Sequence, residues 1–177
     1  MIYSVDLALG TEQSDEDWDR WVAEMRTPDA FMAIPGFLTM QRFKEMTARP
    51  PRYLAMYSVP SPEAVVSAEY RGADGGNLRR NNWLQFITLW HRNVWDGAES
   101  APNVADDEVL VMFDAAAPTT NHQIPGLTWT RAIGLDKSTP YRGLAHLKRD
   151  AAKPWISRPD PEIRVYAPTM PMVTTKC

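Results

Sequence analysis

Three histidines are the first candidates for acid–base chemistry in this chain of 177 residues. Imidazole titrates closer to neutrality than any other unperturbed side chain, so it can donate or accept a proton under cellular conditions. His91 stands between Trp90 and Arg92 near the end of a predicted strand, His146 stands in a later predicted strand, and His122 lies in a loop. We predict His91, and then His146, as the residue that moves the proton. A hydrogen-bonded structural histidine is the alternative for each.

Two aspartates occupy unusual places inside predicted strands. Asp6 and Asp114 each lie among apolar residues, and a buried carboxylate is costly unless it has a partner. The obvious partners are Arg42 and Arg131, which stand at matching positions in two similar segments. Two structural ion pairs are one interpretation. In the other, one pair faces a pocket, where a desolvated Asp6 acts as a base and Arg42 holds a developing oxyanion.

Aromatic residues are abundant enough to suggest a binding cavity. The chain has seven tryptophans and nine methionines, which pack cores but also line apolar ligand pockets. We expect a pocket walled by tryptophan and methionine that contains at least one histidine. Tyr57, which lies in a predicted strand, is a candidate acid toward a carbonyl group, although core packing explains it equally well. The predicted ring-binding residues are Trp83, Trp90, Trp95, Trp129 and Tyr3.

The motifs of several large enzyme classes are missing from the sequence. No histidine pair has the spacing of a metal site, and the glycines match neither a phosphate loop nor a dinucleotide fingerprint. The sequence also has no Gly-x-Ser-x-Gly nucleophile motif, and Cys177, the single cysteine, is the last residue. We therefore expect no metal and no cofactor. Haem is the one minor exception, with His91 or His146 as its axial ligand.

Charge and hydropathy narrow the range of partners. The formal net charge is only −3, with acidic and basic residues interspersed, so no basic stripe marks a nucleic-acid surface. No segment approaches the ~20 consecutive apolar residues that cross a bilayer, and no signal peptide is readable. A lone cysteine fits a reducing compartment. These features predict a cytoplasmic protein whose partner is a hydrophobic small molecule, without nucleic acid or membrane.

Alternating and helical patterns place these residues on elements. Ser14 to Asp17 reads as a capping box that starts a helix, and Trp18, Trp21 and Val22 then form an apolar stripe. A second helix is predicted from Pro62 to about Tyr70. The predicted strands of the first part are 2–9, 37–44, 53–59 and one centred on 86–91. This β-α-β-β-α-β order is the ferredoxin-like one.

The second part of the chain repeats features of the first. The segment Ile34-Pro35-Gly36 returns as Ile124-Pro125-Gly126, and both are followed by Leu-Thr and an arginine. We therefore expect two ferredoxin-like halves within one compact unit, residues 1–101 and 102–177, with the helices of the second half reduced. The strands predicted there are 107–113, 127–133, 141–148 and 163–166, followed by an arm from residue 167.

A predicted helix bears Trp18 and Trp21, and it is followed by Pro35-Gly36 and by a strand that ends in Arg42. This arrangement resembles the dimeric α+β barrel superfamily. Within it the pattern is most similar to EthD-like and antibiotic-biosynthesis-monooxygenase-like proteins. The resemblance implies an α+β fold in which tandem ferredoxin-like halves form one barrel. It also implies a cofactor-independent enzyme, which is either a lyase or isomerase that works by proton transfer or a monooxygenase. The implied substrate is a hydrophobic aromatic or polycyclic compound of catabolism or secondary metabolism. The alternative is a non-catalytic protein that binds a ligand or haem.

The reduced helices of the second half bear on assembly. Only residues 115–123 join the first two strands there, which is too short for a full helix. A sheet face left uncovered exposes apolar surface. We expect either the C-terminal arm or a second subunit to cover that face, and we predict a homodimer.

Overall fold

The structure is a computed structural model and describes residues 1–25, 27–72, 83–119, 123–157, 160 and 162–175. The strands are β1 (Ile2–Leu9), β2 (Thr39–Glu45), β3 (Tyr53–Ser58), β4 (Ile87–Asp96), β5 (Glu108–Ala115), β6 (Thr128–Leu135), β7 (Tyr141–Lys148), β8 (Ile163–Pro168) and β9 (Val173–Thr174). The helices are α1 (Asp15–Met25), α2 (Pro28–Met32), α3 (Ala68–Gly72) and α4 (Lys153–Ser157), with short 3₁₀ helices at Pro62–Val66 and Leu84–Phe86.

Eight of the strands close into an antiparallel barrel. Their order is β3-β1-β4-β6-β7-β5-β8-β2, and β2 then pairs with β3 to complete the circle. The short β9 extends the pairing of β2 beyond β8, with Met40 opposite Val173. The chain is thus an α+β protein with a closed eight-stranded barrel and few helices.

The two parts of the chain contribute their strands in corresponding orders. Strands β1–β4 lie in the order β2-β3-β1-β4 in the sheet, and strands β5–β8 lie in the order β6-β7-β5-β8. The joints between the two sets are β4–β6 and β2–β8, both antiparallel. One continuous sheet therefore runs through both parts.

The predicted strands agree with the structure to within a few residues, because period-two alternation survives on most of them. Helix α1 begins directly after Ser14, whose Oγ accepts a hydrogen bond from the Asp17 amide at 3.1 Å. The second predicted helix is divided into a 3₁₀ turn and α3. The arm prediction is wrong for Val173–Thr174, which form β9. Among the helices in the described ranges, none is long and apolar enough to cross a membrane.

The inside of the barrel is a packed apolar core over much of its length. Side chains that share a ladder position lie on the same face of a sheet, so the register identifies the inward set. Its buried apolar members include Ile2, Phe43, Leu54, Met56, Trp95, Leu110, Met112, Leu144 and Tyr166. The outer face of β1–β4 is covered by α1, α2 and α3, since Trp18, Phe31 and Tyr70 pack with the outward side chains Leu7, Tyr57 and Tyr3. Both faces of this sheet therefore carry buried side chains.

The outer face of β5, β6, β7 and β8 is also covered within the chain. Val111 and Val165 are 0% exposed there, and Ile124 and Trp155 from the connecting segments pack against this cluster. The C-terminal segment does not take part, since Thr175 donates from its backbone to Leu38 in the first part of the chain. The argument that a bare second face requires a partner subunit therefore loses its premise, and the homodimer remains a proposal.

Candidate functional site

A cavity of about 130 Å³ lies between the helices and the outer face of the first four strands. Its described lining is dominated by aromatic side chains. They are Tyr3, Tyr53, Tyr57, Tyr70, Trp18, Trp21, Trp90, Phe31 and Phe43. Such a lining suits an apolar, ring-bearing ligand, because aromatic rings stack on or meet other rings edge to face.

Small side chains make room for the cavity at its floor. Val5 of β1 lies opposite Ala55 of β3, and Ala55 lies opposite Arg42 of β2. The flanking rows carry larger groups: Tyr3 opposite Tyr57 on one side, and Leu7 between Tyr53 and Trp90 on the other. The cavity is thus a depression over Val5 and Ala55, bounded by aromatic rows.

Helix α1 forms the roof and is tied to the sheet by polar contacts. Trp18 and Trp21, one turn apart, lie with ring centroids at 5.1 Å and line the cavity together with Val22. Asp15 accepts a hydrogen bond from the Tyr53 hydroxyl and pairs with Arg52. Although partial burial raises the pKa of Asp15, the Tyr53 hydroxyl and Arg52 hold it below its ordinary value. The ionised first turn of α1 is therefore anchored on β3.

Two buried phenols meet at the inner wall. The hydroxyls of Tyr3 and Tyr70 lie 2.5 Å apart, and Tyr3 stacks on Tyr57 with centroids at 5.4 Å. The pKa of Tyr3 lies well above its ordinary value, mainly because the phenol is buried and secondly because Tyr70 lies next to it. Tyr3 therefore stays a neutral phenol at physiological pH and does not act as a base. The predicted Tyr3 and Tyr57 both line the cavity.

The charged lining groups lie along β2. Arg42 is on β2 itself, and Asp19 of α1 accepts a hydrogen bond from Lys44 of the same strand at 2.7 Å. Thr169 lies beside them, since its amide donates to the Arg42 carbonyl at 2.9 Å. On the opposite side, the buried indole Nε1 of Trp90 has no hydrogen-bond partner in the described part of the chain. One edge of the cavity is therefore polar, and the other is aromatic.

The predicted Asp6–Arg42 pair is wrong. Asp6 lies opposite Leu54, whereas Arg42 lies opposite Ala55, the next residue of β3. Successive residues of a strand point to opposite faces, so Asp6 points into the barrel and Arg42 points into the external cavity. The partner of Asp6 is Arg142, whose Nη1 lies 3.0 Å from both carboxylate oxygens.

The predicted Asp114–Arg131 pair is wrong for the same reason. Asp114 lies opposite Arg142 on β7, and Arg131 lies opposite Tyr141, one residue away. Arg131 is exposed, while Asp114 is bonded by Arg142 through Nε at 2.7 Å and by Arg164 at 3.2 Å. These side chains form a buried ion network inside the barrel.

The histidines lie outside the cavity lining. His91 lies opposite Asp6 and so shares the inward face of β4, whereas the cavity is on the outer face. The side chain of His146 is 54% exposed, with Nδ1 3.5 Å from Glu108, so His146 does not lie in the pocket in which a histidine was expected. His122 falls outside the described residues. The described lining contains neither a histidine nor a methionine, contrary to the expected composition.

The five predicted ring-binding residues separate into different environments. Trp90 and Tyr3 line the cavity. Trp95 is fully buried inside the barrel, where its indole donates to Ser4 Oγ at 2.9 Å. Trp83 packs against Trp18 behind the lining at 5.3 Å, and Trp129 lies on the second part of the sheet.

The cavity's principal roof residues were not among the predicted site residues. The sequence pattern identifies Trp18 and Trp21 only as part of a helix stripe that packs inward. The signal that could have found them is the pair of large rings on one turn of a helix that faces small strand residues, Val5 and Ala55.

The chemistry of the described side chains decides whether a metal or a haem could be held here. Within the described ranges, no cluster of three or more histidine, cysteine or acidic side chains could hold a metal ion. The described cavity lining offers no histidine, cysteine or methionine as an axial ligand, and its tyrosines are committed to buried contacts. These residues do not fit a haem.

Two solved structures share the fold. An anthrone oxidase-like protein is 11% identical, with a TM-score of 0.60, covering 99% of this chain and 94% of that one. A proposed monooxygenase from Lactobacillus acidophilus NCFM is 10% identical, with a TM-score of 0.54, covering 98% and 96%. No protein-family model matches the sequence, and no curated protein matches it. At this identity the likeness establishes the barrel fold over nearly the whole chain.

Proposed function

We propose that this protein is a cofactor-independent monooxygenase that acts on a hydrophobic aromatic compound bound in the external cavity. The observation that carries the proposal is the cavity itself: an aromatic enclosure over Val5 and Ala55 with Arg42 at one edge. Apolar walls exclude water, and a cation placed at one edge stabilises an oxyanion more strongly there than in bulk water.

The chemistry requires a substrate that supplies its own electrons. An activated methylene between arenes loses a proton to give a resonance-stabilised carbanion, which reduces molecular oxygen. One oxygen atom then enters the product as a carbonyl and the other leaves as water, so CH2 and O2 give C=O and H2O. Arg42 stabilises the substrate oxyanion, and Asp19 at the cavity edge is the candidate proton acceptor.

Two other functions could use the same cavity. The same proton abstraction without oxygen is a lyase or isomerase step, and the solved structures that share the fold carry names that favour oxidation. A protein that only binds its ligand would use the same aromatic contacts without turnover. The three outcomes separate in a single assay, because only the oxidation consumes oxygen.

We also propose that the barrel arose by duplication of an EthD-like unit. The corresponding strand orders of the two parts support this origin. The strand registers, however, limit how the two parts of the chain can be aligned. If Asp6 is placed on Asp114, Leu54 falls on Arg142. Arg42 then falls on Trp129. An alignment that equates Asp6 with Asp114 therefore does not equate Arg42 with Arg131, although the sequence places these arginines at matching positions.

Oxygen uptake tests the proposed activity. Purified protein is mixed with anthrone and with simpler arylmethylene ketones and hydroxyarenes, and oxygen consumption is followed with an electrode while products are identified by mass spectrometry. We expect stoichiometric oxygen loss and incorporation of one atom of labelled oxygen. Trp90→Phe lowers the rate, whereas the matched Trp129→Phe, outside the cavity, leaves it unchanged. Product formation without oxygen uptake, or binding without product, contradicts the proposal.

A further inference from the structure

We propose that Thr175 is a positioning residue for the aromatic substrate, because it ties helix α2 to the segment that follows it and thereby fixes Phe31 in the wall of the cavity. The inference rests on the proposed function for the claim that the bound arene is a substrate. Three features of the structure support it: the position of the cavity mouth, the slight burial of α2, and the contacts of Thr175 with the end of this helix.

The mouth of the cavity lies along β2, where the C-terminal segment passes. Of the described lining residues, only Asp19 and Thr169 are exposed to solvent, and both lie at the β2 edge. The C-terminal segment follows β2 from there: the Thr169 amide donates to the Arg42 carbonyl at 2.9 Å, and the Thr175 amide donates to the Leu38 carbonyl at 3.0 Å. This segment therefore begins at the mouth and ends beside α2, against which β9 packs.

Helix α2 contributes to the cavity wall but has little burial of its own. It has five residues, none of which is buried, and Thr27 at its N-terminus makes no side-chain capping hydrogen bond. A segment with few buried apolar contacts opens locally at low cost. Phe31 of this helix nevertheless lines the cavity and meets the Tyr57 ring at a centroid distance of 5.7 Å. Contacts from outside the helix are therefore needed to hold Phe31 in place.

Thr175 supplies contacts of this kind. Its hydroxyl donates to the Phe37 carbonyl at 2.5 Å and lies 3.8 Å from Sδ of Met32, the last residue of α2. Phe37 in turn packs edge to face on Tyr57 at 5.3 Å, which is the ring that Phe31 also meets. Thr175 therefore joins the end of α2 to the turn after it, around one aromatic ring of the cavity wall.

Removing the Thr175 hydroxyl should loosen this wall without touching the reacting groups. In Thr175→Val we expect the affinity for anthrone, titrated in the absence of oxygen, to fall by ~5-fold, the size of one lost hydrogen bond. In oxygen uptake on anthrone, KM should rise by the same factor while kcat changes by less than ~2-fold, since only binding is affected. Thr175→Ser keeps the hydroxyl and should behave as the wild type. A fall in kcat with an unchanged KM contradicts the positioning role.

Hydrogen exchange tests the link to α2 without any ligand. The amides of residues 28–32 should exchange faster in Thr175→Val than in the wild type, because α2 opens more readily. Thr128→Val, an exposed threonine of β6, is the matched control for both exchange and binding and should match the wild type. Equal exchange of α2 in the two variants overturns the inference.

A double-mutant cycle shows whether Thr175 acts through Phe31. Phe31→Ala removes the ring itself and should weaken anthrone binding by ~10-fold or more. If Thr175 acts by holding that ring, adding Thr175→Val to Phe31→Ala should cost less than a further ~2-fold. Full additivity of the two losses overturns the inference.

Binding and turnover are separate readouts, so the two proposals fail in different ways. Weaker anthrone binding by Thr175→Val, without oxygen uptake by the wild type, supports the positioning role and contradicts the monooxygenase. Oxygen uptake on anthrone that Thr175→Val leaves unchanged in both KM and kcat supports the monooxygenase and overturns the positioning role.

Discussion

In the interior of the barrel, Arg142 Nη1 donates to both carboxylate oxygens of Asp6 at 3.0 Å. The same guanidinium bonds Asp114 through Nε at 2.7 Å and through Nη2 at 2.9 Å. Its plane also lies over Trp95, with Cζ 4.6 Å from the ring centroid. One side chain of β7 thus joins β1 and β5, which come from different parts of the chain.

Loss of this guanidinium should destabilise the barrel strongly. Arg142→Met leaves Asp6 and Asp114 without their shared cation, and removing one partner of a buried ion pair costs about 3–5 kcal/mol. Urea denaturation followed by circular dichroism measures the change in unfolding free energy. The control is Arg131→Met at an exposed position, which should stay within about 0.5 kcal/mol of the wild type. Similar stabilities for the two variants would show that the network contributes little.

The two aspartates of the network should give opposite pH dependences. Burial raises the pKa of Asp6 despite Arg142. Burial also raises the pKa of Asp114, but Arg142 and then Arg164 outweigh it and hold that pKa below its ordinary value of 3.8. The Asp114 carboxylate therefore contributes stability above the unfolded-state pKa, and this contribution is lost as pH falls through the folded-state pKa. Asp6 behaves in the reverse way, because the folded state favours its protonated form and loses stability as pH rises through the raised pKa.

Denaturation of Asp6→Asn and Asp114→Asn from about pH 3 to about pH 7 measures this difference. The deficit of Asp114→Asn relative to the wild type should shrink on acidification. The stability of Asp6→Asn relative to the wild type should rise with increasing pH. Parallel pH profiles for the two variants are incompatible with these opposite shifts.

The strands could be predicted from the sequence, but the face that bears the site could not. Alternation correctly places Leu89, His91 and Trp95 on one face of β4 and Trp90 on the other. In a closed barrel whose outside is covered by helices, both faces are buried, so hydrophobicity does not tell the inside from the outside. His91 was assigned to the tryptophan pocket for this reason, and it lies on the inward face.

The ion network could not be predicted because it depends on register across the barrel. Asp6 and Arg142 are separated by 136 positions, and no local pattern fixes which arginine arrives opposite. A slip of one residue reverses the face of a side chain, and this is how Arg42 and Arg131 were wrongly chosen. The volume over Val5 and Ala55 likewise arises only when β1, β3 and α1 are brought together.

Filling the floor of the cavity should block ligand binding without unfolding the protein. Ala55→Leu places three additional carbon atoms in the space above Val5, so the affinity for anthrone, titrated in the absence of oxygen, should fall by ~10-fold or more through loss of cavity volume. Calorimetric titration measures the affinity, and thermal denaturation confirms the fold. Ala117→Leu on an exposed turn is the control and should bind normally. Unaltered anthrone binding by Ala55→Leu would place the ligand elsewhere.

The polar anchor of α1 should hold the roof in place. Asp15→Asn weakens the contacts to Arg52 and Lys44, but these groups are partly exposed, so the loss of stability should be only about 1 kcal/mol. Dissociation of anthrone in the absence of oxygen, measured by stopped-flow fluorescence, should become faster because the roof opens more readily. Glu16→Gln, on the exposed side of the same turn, is the matched control. Equal dissociation rates in Asp15→Asn and the wild type would exclude the anchor role.

Turnover of Arg42→Gln and His91→Gln on the same aromatic substrate tests most directly whether the external cavity is the reaction site. We expect oxygen uptake by Arg42→Gln to fall by ~10²-fold, as for loss of an oxyanion-stabilising donor. His91→Gln, on the inward face, should retain wild-type turnover while both variants keep the fold. Loss of activity in His91→Gln with full activity in Arg42→Gln would contradict the account and place the chemistry inside the barrel.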